Sequence, residues 1–157
     1  MNPKYLLGYL LMVVFFFLGN SFVPFETHII TLHVDTGKIE NGNIDQVCTF
    51  GQGDGVSNED FTIVVKPGDV IMWQGVSSNA PETDQVLISA INYEGGARIF
   101  SKNTLKDSRQ NLGVVLGTVS EGKDGDEHKY KLSFKVLNSG EKRGGTFNID
   151  PKIKIKS

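Results

Sequence analysis

The chain has 157 residues and a net charge of −2; it is 39% hydrophobic and 22% charged, with 18 glycines. A single long apolar run, no heptad or collagen period and no basic excess exclude a polytopic membrane protein, a coiled coil, a collagen, a disordered chain and a strongly basic nucleic-acid binder. The residues beyond the apolar run amount to about one domain's worth of chain, enough to bury a core without metal or disulfide staples.

The first element reads as an export signal. Residues 1–4 are short and carry Lys4, residues 5–18 are fourteen without a charge, and Gly19, Asn20 and Ser21 are small or polar. A basic n-region, an apolar h-region and small residues after it predict a secretory signal peptide over 1–21 and a domain over 22–157. Gly19-x-Ser21 is an imperfect cleavage signal. The uncharged stretch 5–25 is twenty-one residues, which also suits an uncleaved anchor with Lys4 held in the cytoplasm. Both readings put the domain outside the cytoplasm (periplasmic, at the cell surface or secreted), and it meets a membrane only through residues 5–25 if they are retained. Cys48 is the only cysteine. It stands too far on to carry a lipid and has no intrachain disulfide partner, so a small buried apolar role in a short strand over 47–50 is expected.

After Phe25 the alternation has period two, with no sustained helical period. In 28–35, Ile30, Leu32 and Val34 share one face. The polar loop 51–60 comes after the strand over 47–50. Phe61, Ile63 and Val65 alternate in 61–66, and Pro67-Gly68 has the residues a type II turn prefers. The strand 70–75 is expected to pair back on 61–66, with Ile71 and Trp73 inward. Further strands are expected over 85–93 and 112–119, the latter softened by Gly113 and Gly117. A helical turn is expected around 103–109. In 129–136, Tyr130, Leu132, Phe134 and Val136 face one way; in 147–156, Phe147, Ile149, Pro151, Ile153 and Ile155 do. Pro151 cannot donate to a ladder and marks an edge or a bulge. About eight short strands of this kind predict an all-β, two-sheet sandwich.

Charge is uneven along the chain. Residues 22–100 hold eleven acids against Lys38, Lys66 and Arg98, whereas 101–157 hold twelve bases against seven acids. Cross-strand pairing of interleaved halves accounts for this simply. Lys129, Lys131, Lys135, Lys152, Lys154 and Lys156 read in two ways. They form a functional basic stripe for acidic polysaccharide or anionic lipid, or they are solvated edge lysines that block aggregation, the cheaper account.

One stretch carries a resemblance. Phe61-Thr-Ile-Val-Val-Lys-Pro-Gly-Asp-Val-Ile-Met-Trp73 is similar to the cupredoxin strand pair, and 130–155 resembles that family's closing pair of strands around a glycine-rich loop. The resemblance implies a Greek-key sandwich of cupredoxin type. It also implies a copper site of two histidines, a cysteine and a weak axial methionine, and here the residues depart from it. Residues 74–80 lack the histidine, Val136 stands where the cysteine belongs, and 137–146 contain neither histidine nor methionine.

No other metal set emerges. His28 and His33 fall on opposite faces of one strand. His128 is expected in the polar loop 124–128, where Asp124, Asp126 and Glu127 suit a weak Ca²⁺ site or, more simply, an acidic turn. The glycines of 51–55 precede a strand, not the helix that phosphate binding requires. No catalytic, cofactor-binding or metal set is assigned. The expected function is an exported, non-catalytic cupredoxin-like module for binding or structure at the cell envelope, without nucleic acid and with no named partner. Its binding surface is expected on the loops 51–60, 74–84 and 138–145. The alternatives are a copper-binding electron carrier with a relocated site at Cys48 and one or more histidines, and a glycan-binding module using loop aromatics. Trp73 is expected in the core, and Tyr93 is a weaker candidate for exposure.

Overall fold

A computed structural model describes residues 24–156, so the expected signal or anchor lies outside the described residues. The strands are β1 (Thr27–Val34), β2 (Cys48–Thr49), β3 (Thr62–Val65), β4 (Val70–Ser77), β5 (Gln85–Gly96), β6 (Thr104–Lys106), β7 (Val115–Thr118), β8 (Glu127–Asn138), β9 (Glu141–Ile149) and β10 (Lys152–Ile155), with one helical turn, α1 (Ile44–Val47). They form two mixed sheets. The first has four strands in the order β2-β1-β4-β7; the second has six, β3-β10-β8-β5-β6, with β9 also on β8. The molecule is an all-β sandwich.

Alternation drives the packing. Ile30, Leu32, Val34, Ile71, Trp73 and Val115 of the first sheet meet Val86, Ile88, Tyr130, Leu132, Phe134, Val136, Phe147 and Ile153 of the second in one buried cluster. Trp73 and Phe134 are both 0% exposed. Trp73 Nε1 donates to the Tyr130 hydroxyl at 3.2 Å, which ties the two sheets together across the core. The rings of Phe100 and Tyr130 meet the indole edge-on at 5.9 and 5.8 Å, a favoured aromatic geometry. Gly117 makes room for them: a Cβ there would lie 2.6 Å from Leu105 and 3.1 Å from Trp73.

Several expectations change. Strands β3 and β4 do not form a hairpin. β3 runs parallel to β10 in the second sheet, whereas β4 runs parallel to β1 in the first. The turn between them carries the chain from one sheet to the other. Its geometry is as expected, with Asp69 N–H donating to Lys66 C=O at 3.1 Å and Gly68 at φ 99°, where glycine has no steric cost. Residues 103–109 hold strand β6 on β5 instead of a helical turn; its three residues are too few for a visible period. Val47 ends α1, and β2 keeps only two residues.

The run 147–156 breaks after Ile149 into β9 and β10, which line the same edge of β8 one after the other. Pro151 sits at the break. Its carbonyl still accepts from Tyr130 N–H at 3.2 Å, so the ladder loses only the donor that proline lacks. On β5 the inward phase slips at a bulge between Ile88 and Ala90, which places Ile91 inward and hides the alternation from a reading by period alone.

Candidate functional site

The expected loops 74–84 and 138–145 shrink to 78–84 and 139–140, because β4 runs on to Ser77 and β9 begins at Glu141; these two turns converge at one end of the sandwich, at the turn after β1. Thr36 Oγ1 donates to Asp84 Oδ2 at 2.6 Å and lies 2.7 Å from Ser77 Oγ. Thr36 N–H donates to Asn79 Oδ1 at 2.8 Å. Asn138 Nδ2 donates to Asp84 Oδ2 at 2.7 Å, and Ser139 N–H donates to Asp84 Oδ1 at 3.2 Å. The Thr36 hydroxyl bond, helped by Asn138 and Ser139, holds the Asp84 carboxyl below the usual carboxylate range against the effect of burial. The network therefore locks together the ends of β1, β4 and β8 and the start of β5. Among the described residues no buried side-chain nitrogen or oxygen lacks a partner. None of Thr36, Asp84 or Asn138 is visible as a partner in the sequence, because their separations are 48 and 54 residues.

Loop 51–60 lies elsewhere. Asn58 is buried and donates to Cys48 C=O at 3.0 Å, and Asp60 pairs with Lys152 at 3.1 Å. This loop thus bonds to β2 through Asn58 and to β10 through Asp60. The shallow groove next to the locked end (Gln74, Ser77, Pro81, Asp84, Leu112) is about 250 Å³, and one between β6 and β7 (Lys102, Leu105, Lys106, Leu116) is about 350 Å³. The first falls below, and the second at the bottom of, the range for small-molecule sites, about 300–1,000 Å³.

The turn that changes sheets is built on Asp69, 3% exposed. Its carboxylate accepts from Glu26 N–H and Lys66 N–H, each at 2.9 Å, and lies 2.9 Å from His28 Nε2. Burial raises the Asp69 pKa, but these bonds more than offset it and hold the carboxyl below its ordinary value. The aspartate of the Pro-Gly-Asp turn is thus the knot joining β1, β3 and β4.

The residues weighed for copper do not meet. Val34 opposes Cys48 and His33 opposes Thr49 across β1 and β2. Cys48 is 5% exposed and points inward with Val34, while His33 lies on the outward phase. Desolvation, with Asp45 nearby, pushes the Cys48 thiol up to about 12, which removes the thiolate that metals and electrophiles need. His128 is not in a loop. It lies in β8, 2% exposed, among Tyr93, Phe100 and Tyr130, with Nδ1 2.8 Å from Ala97 C=O. Burial holds it below its ordinary value of 6.5. Among the described residues no group of three or more His, Cys, Asp or Glu is arranged to hold a metal. Tyr93 is half-buried. Its hydroxyl donates to Gly96 C=O at 2.8 Å, and the Arg98 guanidinium lies 4.6 Å above its ring.

The two outward faces differ in charge. On the first sheet the outward residues are Thr27, Ile29, Thr31, His33, Thr49, Val70, Met72, Gln74, Val76, Leu116 and Thr118, without Lys, Arg, Asp or Glu. Ile29, Met72 and Leu116 stand directly opposite one another across β1, β4 and β7. The second sheet carries outward Lys129, Lys131 and Lys135 on β8 and Lys152 and Lys154 on β10, with Lys156 just beyond. Neither β8 nor β10 is an edge strand, since β8 lies between β5 and β10 and β10 lies between β3 and β8. The edge-protection account of these lysines is therefore corrected.

No protein-family model matches the chain, and no curated protein matches it. Among solved structures, the fold is similar to that of the inclusion body protein PixA from Burkholderia cenocepacia J2315, with a TM-score of 0.61 and 15% identity over 87% of this chain and 99% of that one. The N-terminal domain of phage TP901-1 ORF48 aligns at a TM-score of 0.36 and 15% identity, over 84% of this chain and 99% of that domain, too weakly to carry an argument. At such identity the likeness to PixA is one of fold: the chain shares a β-sandwich with it.

Proposed function

We propose that the chain is an exported, non-catalytic β-sandwich acting as a binding or structural module at the cell envelope, and that it works through an outer face. The observation that carries this reading is the locked end. The loops that would carry a site at the strand ends of a sandwich are bonded to one another through Thr36, Asp84 and Asn138, which leaves few groups there to engage a substrate. The uncharged run 5–18 supports export. A cupredoxin-like topology is part of the proposal, supported by the Lys66–Asp69 turn and by Trp73 in the core. The copper alternative has less support, because Cys48 and His33 occupy opposite faces. A glycan site on aromatics also has less, because Phe50 is buried and Tyr93 lies on β5 with the Arg98 guanidinium over its ring.

Cell fractionation of the full chain tests the reading, together with the mass of its mature N-terminus. Recovery outside the cytoplasm is expected, and recovery in the cytoplasm at full length would overturn export. Copper titration supplies the second test. An intense visible thiolate-to-copper band that vanishes in Cys48→Ser would replace the module with an electron carrier.

A second reading, a structural protein that packs against its own copies, is favoured by the uncharged outward face with Ile29 at 61% and Leu116 at 44% exposure; the fold it shares is that of a protein named for inclusion bodies. Concentration-dependent sedimentation that Met72→Lys abolishes would favour it.

A further inference from the structure

We propose that the outward face of the second sheet is an electrostatic docking surface for a linear acidic polysaccharide. The proposal rests on the reading of an exported binding module and names its partner class. Lys152 stands directly opposite Lys129 across β10 and β8, Lys131 opposes Asn92, and Lys135 opposes Leu87. Like charges directly opposite on one sheet face are unfavourable, so folding selects against the Lys152–Lys129 pair, whereas Lys154 stands opposite Glu127. Of the six lysines, Lys131 is paired with Glu94 and Lys152 with Asp60. Among the described residues, Lys129, Lys135, Lys154 and Lys156 have no ion-pair partner, and all four are exposed. Edge protection does not explain lysines on interior strands, and solubility alone does not explain why the opposite face carries no charge.

The form of the patch narrows the partner. Outward residues two apart on a strand are separated by about 6.6–6.8 Å, and neighbouring strands by about 4.8 Å. The ammonium groups thus make an open grid, suited to a polymer of repeated anionic groups and not to one small anion. The face presents lysine point charges, without the arginine fork that grips phosphate. Hydroxyls and amides stand between the charges: Asn148 and Thr62 are exposed, and Thr104 bonds Asn92 at 3.0 Å. Such groups suit sugar hydroxyls. Large exposed apolar side chains that would insert into a membrane lie elsewhere, at Phe25, Ile29, Leu112 and Leu116; Val64 is the exception on this face.

Affinity electrophoresis of the full chain in nonionic micelles tests the proposal, through gels containing alginate or, as the neutral control, dextran. Alginate is expected to retard the chain and dextran is not. The retardation should collapse between about 50 and 200 mM salt, as polyelectrolyte binding does when counterions are released. Lys129→Ala with Lys154→Ala should weaken it about tenfold or more. Thr27→Glu with Thr118→Glu, which changes net charge equally on the other face, should leave it unchanged. Melting curves of both double variants establish that they fold.

Absence of retardation at low salt, or equal loss in the two double variants, overturns the surface. Stronger binding to single-stranded DNA or to micelles doped with phosphatidylserine replaces the polysaccharide with those partners. A chain that is retarded by alginate yet fractionates in the cytoplasm defeats export and leaves the surface standing. One that is exported yet not retarded does the reverse.

Discussion

The outward positions of β1, β4 and β7 carry threonine, isoleucine, methionine and leucine, while those of β8 and β10 carry mainly lysine, with Glu127 and Ser133 among them. The inward positions of the same strands are alike, a single set of aliphatic and aromatic side chains. Burial dictates the inner set, because every inward side chain must leave water to stabilise the fold. The outer set is under no such demand. Its composition is free to differ, and a face that concentrates like charge on interior strands does so at a small cost in stability. The difference between the faces therefore concerns what each meets in solution.

The largest expected effect strikes what both faces share. Trp73→Ala removes the side chain that spans the core and leaves Tyr130 without its donor, costing about 3–5 kcal/mol, read from the denaturant midpoint. Both faces should be lost together; loss of one sheet's signals before the other's would show two separable layers. Thr36→Val leaves Asp84 and Ser77 without a buried hydroxyl partner and should cost about 1–3 kcal/mol, with hydrogen exchange quickening at the ends of β1, β4 and β8. An unchanged midpoint would mean that the lock does not hold the sheets together.

Acid should act from the lysine-bearing sheet. His128 lies below its ordinary value of 6.5 through burial, so the unfolded chain takes up its proton first. Stability is full above about pH 6.5 and is lost as pH falls toward the folded value. Thermal midpoints should drop between about pH 7 and pH 5, and His128→Phe should flatten that slope. The Asp69 and Asp84 carboxyls, held low, act separately, withdrawing their support only below the ordinary carboxylate range. The smallest effect distinguishes the faces themselves. Lys129→Glu places opposite charges where Lys129 faces Lys152 and should add about 0.2–1 kcal/mol, toward the low end since both heads reach water. Met72→Lys on the other face should shift stability by no more than about 0.5 kcal/mol.

Much of the architecture is legible in the residues. The alternation of Ile30, Leu32 and Val34, of Tyr130 through Val136, and of Phe147 through Ile155 is readable because strand side chains repeat every two residues, and all of these are buried. The Pro67-Gly68 turn is readable because its chemistry is local. The destination of the strand after that turn is not, since a tight turn brings the chain back equally well within one sheet or into the opposite one. β6 is too short to show a period, and the bulge in β5 shifts its phase. His128 reads as a loop residue because its neighbours Asp124 to Glu127 are polar, whereas two of its ring partners, Tyr93 and Phe100, are distant in sequence.

By itself, then, the order of residues determined which side chains turn inward and that the described chain forms strands, because alternation and turn chemistry act over a few residues. Tertiary structure alone decided which strands became neighbours, that Asp84 and Asp69 became knots, and that the two lysine-bearing runs came to lie side by side as the interior strands β8 and β10. Those outcomes depend on contacts between residues far apart in the chain, whose pairing no local preference encodes.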